Sequence, residues 1–120
     1  MTIDPFSDRV TRVRNRFAAS LAGKIDDACA AIAQLSAAAP APAAAVEEAY
    51  RCVHGMVGVG PTVGFPATGD AAHAVEDVLR SPRLERRGLT AEEISLLTRT
   101  MQALREAAAR ELQSFRSPQQ

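Results

Sequence analysis

Apolar residues recur along this chain at gaps of three or four, in four separate runs. Val10, Val13, Phe17, Leu21, Ile25, Ala28, Ile32 and Leu35 form the first run, a spacing that puts side chains on one face of a long helix. Ser7 with Asp8 marks its start and residues 1–6 read as a flexible lead-in. Gly23 interrupts the run at a cost of roughly 1 kcal/mol relative to alanine. The stretch "SAAAPAPAAA" at 36–45 then ends the helix and turns the chain, since proline lacks the N–H a helix interior needs. A second helix is expected from Pro42 or Ala43, with Val46, Ala49, Tyr50, Val53 and Val57 inward, stopping by Gly64. A third starts near Pro66, turns Ala72, Val75 and Leu79 inward, and is expected to stop at Pro82, leaving 81–88 as a basic loop. The fourth has the clearest start. Thr90 and Glu93 are spaced as a capping box, with Leu89 and Ile94 as a hydrophobic staple. Ile94, Leu97, Met101, Leu104, Ala108, Leu112 and Phe115 continue its stripe, and 117–120 reads as a frayed tail.

These patterns predict an all-α fold, a single up-down-up-down antiparallel four-helix bundle over residues 7–116. Composition agrees, because 47% of residues are apolar but only 4% are aromatic, and pleated sheets favour aromatic and β-branched side chains. Fourteen basic residues balance fourteen acidic ones, so no nucleic-acid or membrane footprint is expected. No apolar run approaches the ~20 residues of a membrane span, and no signal-like leader opens the chain. Cys29 and Cys52 fall inside helical patterns and read as small buried thiols in a reducing, cytoplasmic setting rather than as a disulfide.

One stretch breaks the helical logic. "RCVHGMVGVGPTVG" at 51–64 places one histidine, four glycines and a proline where a helix should run. Each helical glycine costs about 1 kcal/mol and an internal proline about 3, against a total stability of about 5–15 kcal/mol for such a domain. Ending the helix near Gly60 removes most of that cost but leaves Gly58 unexplained. At 100° per residue His54 lies a quarter-turn from the apolar stripe, on the flank of the bundle. Gly58 is one turn further on the same side and Gly55 is adjacent. Bare backbone there leaves the imidazole open to a flat partner surface.

Read from His54, the chain runs "HGMVG" to Gly58, then Gly64, then Ala72, Val75 and Glu76. This resembles the histidine-containing phosphotransfer (HPt) family, whose motif is roughly H-x-L-K-G, a glycine six residues later, then A-x-x-L-E. The resemblance implies that His54 is the phospho-acceptor, taking a phosphoryl group from the aspartate of one receiver domain and passing it to another. It implies as partners the receiver of a hybrid histidine kinase and that of a response regulator. The chain then needs no cofactor of its own, Mg2+ being supplied by the receiver. Gly55, Gly58 and Gly64 are read as providing access or packing around the histidine. Val57 departs from the pattern, which has lysine there to steady the phosphoryl charge. Lys24, placed near the level of His54 by counting across the 36–42 turn, and Arg51, one turn before it, are the candidate substitutes.

The remaining chemistry is bland. His73 reads as a surface residue, Glu76 as a packing or polar contact near the motif, and the arginines of 80–87 as a solvated turn. Two histidines and two cysteines without ligand spacing give no reason to expect a metal. No ATP-binding loop is present. The reading is therefore a freestanding, monomeric phosphorelay carrier and not an enzyme with its own turnover. A degenerate HPt-like adaptor that binds a receiver or kinase without passing phosphate is the alternative. A histidine-kinase dimerisation domain is more remote, because its acceptor histidine is normally followed by an acidic residue, whereas Gly55 stands here.

Overall fold

The structure is a computed structural model that describes residues 5–37 and 43–116. The described residues form four helices and one 3-10 turn, with no strand among them: α1 Pro5–Ala37, α2 Ala43–Val59, the 3-10 turn Pro61–Val63, α3 Pro66–Glu85 and α4 Ala91–Arg116. α1 packs on α2 and α4, and α3 packs on the same two, so the helices form a closed ring around one core. Phe17, Leu21, Ile25, Val46, Val53, Val75, Leu79, Leu97 and Leu104 are among the residues that fill it. Most sit on the stripes the spacing predicts.

Several expectations need adjustment. Of the lead-in, 1–4 lies outside the described residues, and the helix has already begun at Pro5, two residues before Ser7. Proline suits a first helical turn because its missing N–H would have no partner there. The proline turn at 38–42, the tail at 117–120 and the side chain of Leu35 also lie outside what is described. Val13 belongs to the α1 stripe but is 44% exposed. Nearby, Arg14 Nε donates to Val63 O at 2.8 Å, in the turn that follows α2, so α1 runs on past the point where α2 can cover it. Cys29 and Cys52 are free but half-buried rather than fully enclosed.

The largest correction concerns Pro82, which does not stop α3. The helix continues through it to Glu85, and the ring is fully buried. An internal proline costs about 3 kcal/mol in an exposed helix; here burial of an apolar ring offsets part of that, and only one turn follows. α3 ends instead at Arg86, left-handed at φ 54°, with Arg87 N donating to Pro82 O at 3.1 Å. Residues 81–85 are therefore helical, and only a short connection precedes α4. Its N-terminus is capped as expected: Glu93 N donates to Thr90 Oγ1 at 3.1 Å, and Thr90 N to Glu93 Oε1 at 2.9 Å. Arg87 adds a bidentate pair to Glu93, at 2.8 and 3.0 Å.

The α2–α3 connection accounts for much of the glycine-rich stretch. Gly60 N makes the last α2 bond, to Met56 O at 2.9 Å, and Phe65 N closes the turn on Gly60 O at 2.8 Å. Gly64 caps the 3-10 turn at φ 94°, a conformation that disfavours any side chain. The Pro61 ring seats on α3 at Gly69, where an added Cβ would lie 2.6 Å from its Cδ and Cγ. Phe65, with no side-chain oxygen to offer, occupies the α3 N-cap. The cap comes from α4 instead: Glu111 accepts Ala67 N at 2.9 Å, Thr68 N at 2.7 Å and Thr68 Oγ1 at 2.7 Å. A carboxylate there also complements the positive end of the helix dipole.

Candidate functional site

The packing of α2 on α3 brings chain positions together in opposite order. Glu47 meets Arg83, its Oε1 accepting from Arg83 Nε at 2.9 Å, and seven residues on, His54 meets Glu76. The interior stripe Val46, Ala49, Val53 and Met56 holds α2 to the core and leaves His54 on the outer flank, its side chain 63% exposed. Glu76 lies on the inward side of α3 and its side chain is only 7% exposed.

His54 Nδ1 and Glu76 Oε2 are hydrogen-bonded. Because a carboxylate can only accept, a neutral imidazole paired this way carries its proton on Nδ1 and keeps the lone pair on Nε2. The ring is fixed a second time by Tyr50, one turn earlier, stacked at 5.3 Å between centroids and 16° between planes. Arg83 lies over Tyr50, 4.2 Å from the ring centroid. Its bond to Glu47 is the main reason that carboxyl is held below its ordinary range. Glu76 has a further neighbour in Arg80, whose Nη2 is 4.0 Å from Oε1 while Nη1 pairs with Asp77 Oδ1 at 2.7 Å. His73 is exposed on α3, its Nδ1 3.4 Å from Asp77 Oδ2.

The predicted site residues divide into two sets. A Cβ built on Gly55 or Gly58 would meet nothing within 4 Å, so no packing requirement keeps either position bare, and both are exposed beside His54. Gly64 belongs to the interhelical turn, where its nearest side chain is Arg14. Lys24 is engaged with Phe17, its Nζ 5.7 Å from the ring centroid. Arg51 points back along α2, its Nε 3.5 Å from Glu47 Oε2. Val57 is half-buried against the core. Sequence reasoning missed Tyr50, Arg80 and Arg83 as neighbours of the site. Two of them had a signal available: Tyr50 is four residues before His54 and Arg80 four after Glu76, spacings that stack side chains on one helix face.

This arrangement presents a nucleophile on a surface. A cleft of about 480 Å3 lies on the α1–α4 seam, lined by Cys29, Met101 and Arg105 among others, and shares no residue with the His54 group. Among the described residues, no group of three or more His, Cys, Asp or Glu side chains is placed to hold a metal ion. No described helix is long and apolar enough to cross a membrane. The bundle thus holds a largely exposed imidazole against a buried carboxylate and a stacked tyrosine. The Hpt domain profile matches residues 12–107, and the chain belongs to that family. Hpt domains act in histidine phosphotransfer within two-component signalling, as carriers that interact with receiver domains. No curated protein and no solved structure matches this chain.

Proposed function

We propose that the protein carries a phosphoryl group on Nε2 of His54 between receiver-domain aspartates in a multi-step phosphorelay. The observation that carries this reading is the single orientation of the imidazole: Nδ1–H is committed to the buried Glu76 carboxylate, and the remaining nitrogen belongs to a largely exposed ring flanked by bare glycines. The lone pair of Nε2 attacks the phosphorus of an aspartyl phosphate. The N–P bond forms as the P–O bond to the aspartate breaks, and the electron pair leaves with the carboxylate. The ring becomes cationic as it is phosphorylated, and Glu76 lies against its N–H to balance that charge. Onward transfer to a second aspartate is the same step reversed. Stabilisation of the moving phosphoryl group is largely electrostatic, and in this reading Mg2+ and most of the stabilising groups belong to the receiver. The chain works as a cytoplasmic monomer, with the ring of four helices in up-down-up-down order.

Radiolabelled ATP, a hybrid kinase carrying its receiver, and the wild type or His54→Gln test the proposal directly. Acid-labile, base-stable label on the wild type and none on the variant is the expected result. Receiver binding without any label would support the adaptor reading, for which Val57 in place of a lysine is the favouring observation. Label retained on the variant would remove His54 as the acceptor.

A further inference from the structure

Phosphorylation of His54 would set a group of nearly two negative charges beside a carboxylate already buried against the same ring. Such a site needs a cation close by, and Val57, one turn after His54, supplies none. The basic side chains nearby are differently committed. Arg83 bonds Glu47 and covers Tyr50, Arg51 faces Glu47, and Lys24 rests on Phe17. Among the described residues, Arg80 is the one whose guanidinium reaches the His54–Glu76 pair, 4.0 Å from the Glu76 oxygen that His54 does not use.

We propose that Arg80 is the cation of the transfer site, reaching across from α3 to steady the phosphoryl group on His54. This rests on the carrier reading and names the charge that completes it. Arg80 is half exposed, and its shorter contact is to Asp77, itself on the surface. Exchanging that contact for an incoming phosphoryl group therefore disturbs no core packing. Guanidinium suits the task, because its planar fork of donors can bind two phosphoryl oxygens at once. In the resting state the same side chain partly offsets the Glu76 charge, so an approaching phosphoryl donor meets less repulsion.

Phosphoramidate, a small phosphodonor, isolates this role from any docking partner. Nε2 attacks its phosphorus, the P–N bond breaks, and ammonia leaves with a proton. The labelling rate of His54 is measured for wild type, Arg80→Ala, Arg80→Lys, and Arg80→Ala combined with Gly58→Lys. Position 58 is open and one turn from His54, so a lysine there restores charge near the phosphoryl group without touching Glu76. Arg80→Ala should label about two- to fivefold more slowly, the range of a solvent-screened ion pair. Arg80→Lys and the Gly58→Lys combination should recover most of the loss, and the difference should shrink with added salt. Equal rates for wild type and Arg80→Ala would overturn this inference while leaving the carrier reading intact. A loss that Gly58→Lys fails to restore would assign Arg80 to holding Glu76 in place and overturn it too. No label on wild-type His54 would overturn both readings.

Discussion

Replacing Gly55 and Gly58 by alanine, singly and together, separates stability from access. Both glycines lie inside α2, and a Cβ at either position meets nothing within 4 Å. Nothing therefore opposes the intrinsic helical advantage of alanine, about 1 kcal/mol per site, part of it from a less flexible unfolded chain. For a domain of this size that is roughly 3–6 °C in Tm per substitution, and about twice that for the pair if the two sites act independently. The same methyl groups would stand beside His54, on the face that a receiver would cover in the proposed transfer. Overpacking a fitted contact costs about 1–3 kcal/mol, so receiver-to-carrier transfer should slow by about fivefold or more. Urea or thermal denaturation gives the first quantity, and transfer of label from a phosphorylated receiver gives the second. Variants that gain stability and transfer at the wild-type rate would refute the claim that these positions are bare for a partner. Variants that lose stability would reveal a structural role the open surroundings do not show.

Two further predictions concern the frame of the site. Gly69→Ala should destabilise by about 1–2 kcal/mol despite alanine's better helix propensity, because its Cβ would meet the Pro61 ring at 2.6 Å; a urea midpoint at or above the wild-type value would contradict that fit. The Arg87 bond lowers the Glu93 carboxyl from 4.5 to about 2, with the Thr90 backbone N–H adding to the effect. A folded-state value below the unfolded one means that the stabilisation is fully present above pH 4.5 and is lost as pH falls towards 2. Allowing for solvent around the pair, its size is about 1–2 kcal/mol. Wild type and Glu93→Gln should therefore converge in urea midpoint as pH falls from about 5 towards 2, and parallel pH profiles would show that the pair contributes nothing.

What could be read from the chain alone was what is local. Helical stripes are set by spacing of three and four residues, and the Thr90–Glu93 box by a spacing of three, so both were visible. His54 stood out through its own neighbours. Pro82 was misread because its effect on α3 depends on the burial of its ring, a tertiary property. Glu76 was read as a contact near the motif, but its bond to His54 spans 22 residues and follows from how α2 and α3 are set against each other. That register is what also brings Arg80 to the site and turns Arg83 onto Tyr50. Lys24 and Arg51 were placed by counting along helices, which locates a backbone level but not the direction a long side chain takes.

The bonds that tie α1 and α3 to α4 span 43 to 79 residues of chain, whereas those that shape the His54 group span 22 to 36 and stay within one helical hairpin. Contacts between nearby segments cost less loop entropy to close, and local opening of a protein starts where its contacts are weakest. The α1–α4 seam joins the two most distant helices and contains the cleft beside Cys29 and Arg105. Loosening along that seam would leave the Glu76 contact to the imidazole, which lies within the α2–α3 hairpin, in place. The proposed acceptor is thus set apart from the seam that closes the longest loops of the chain.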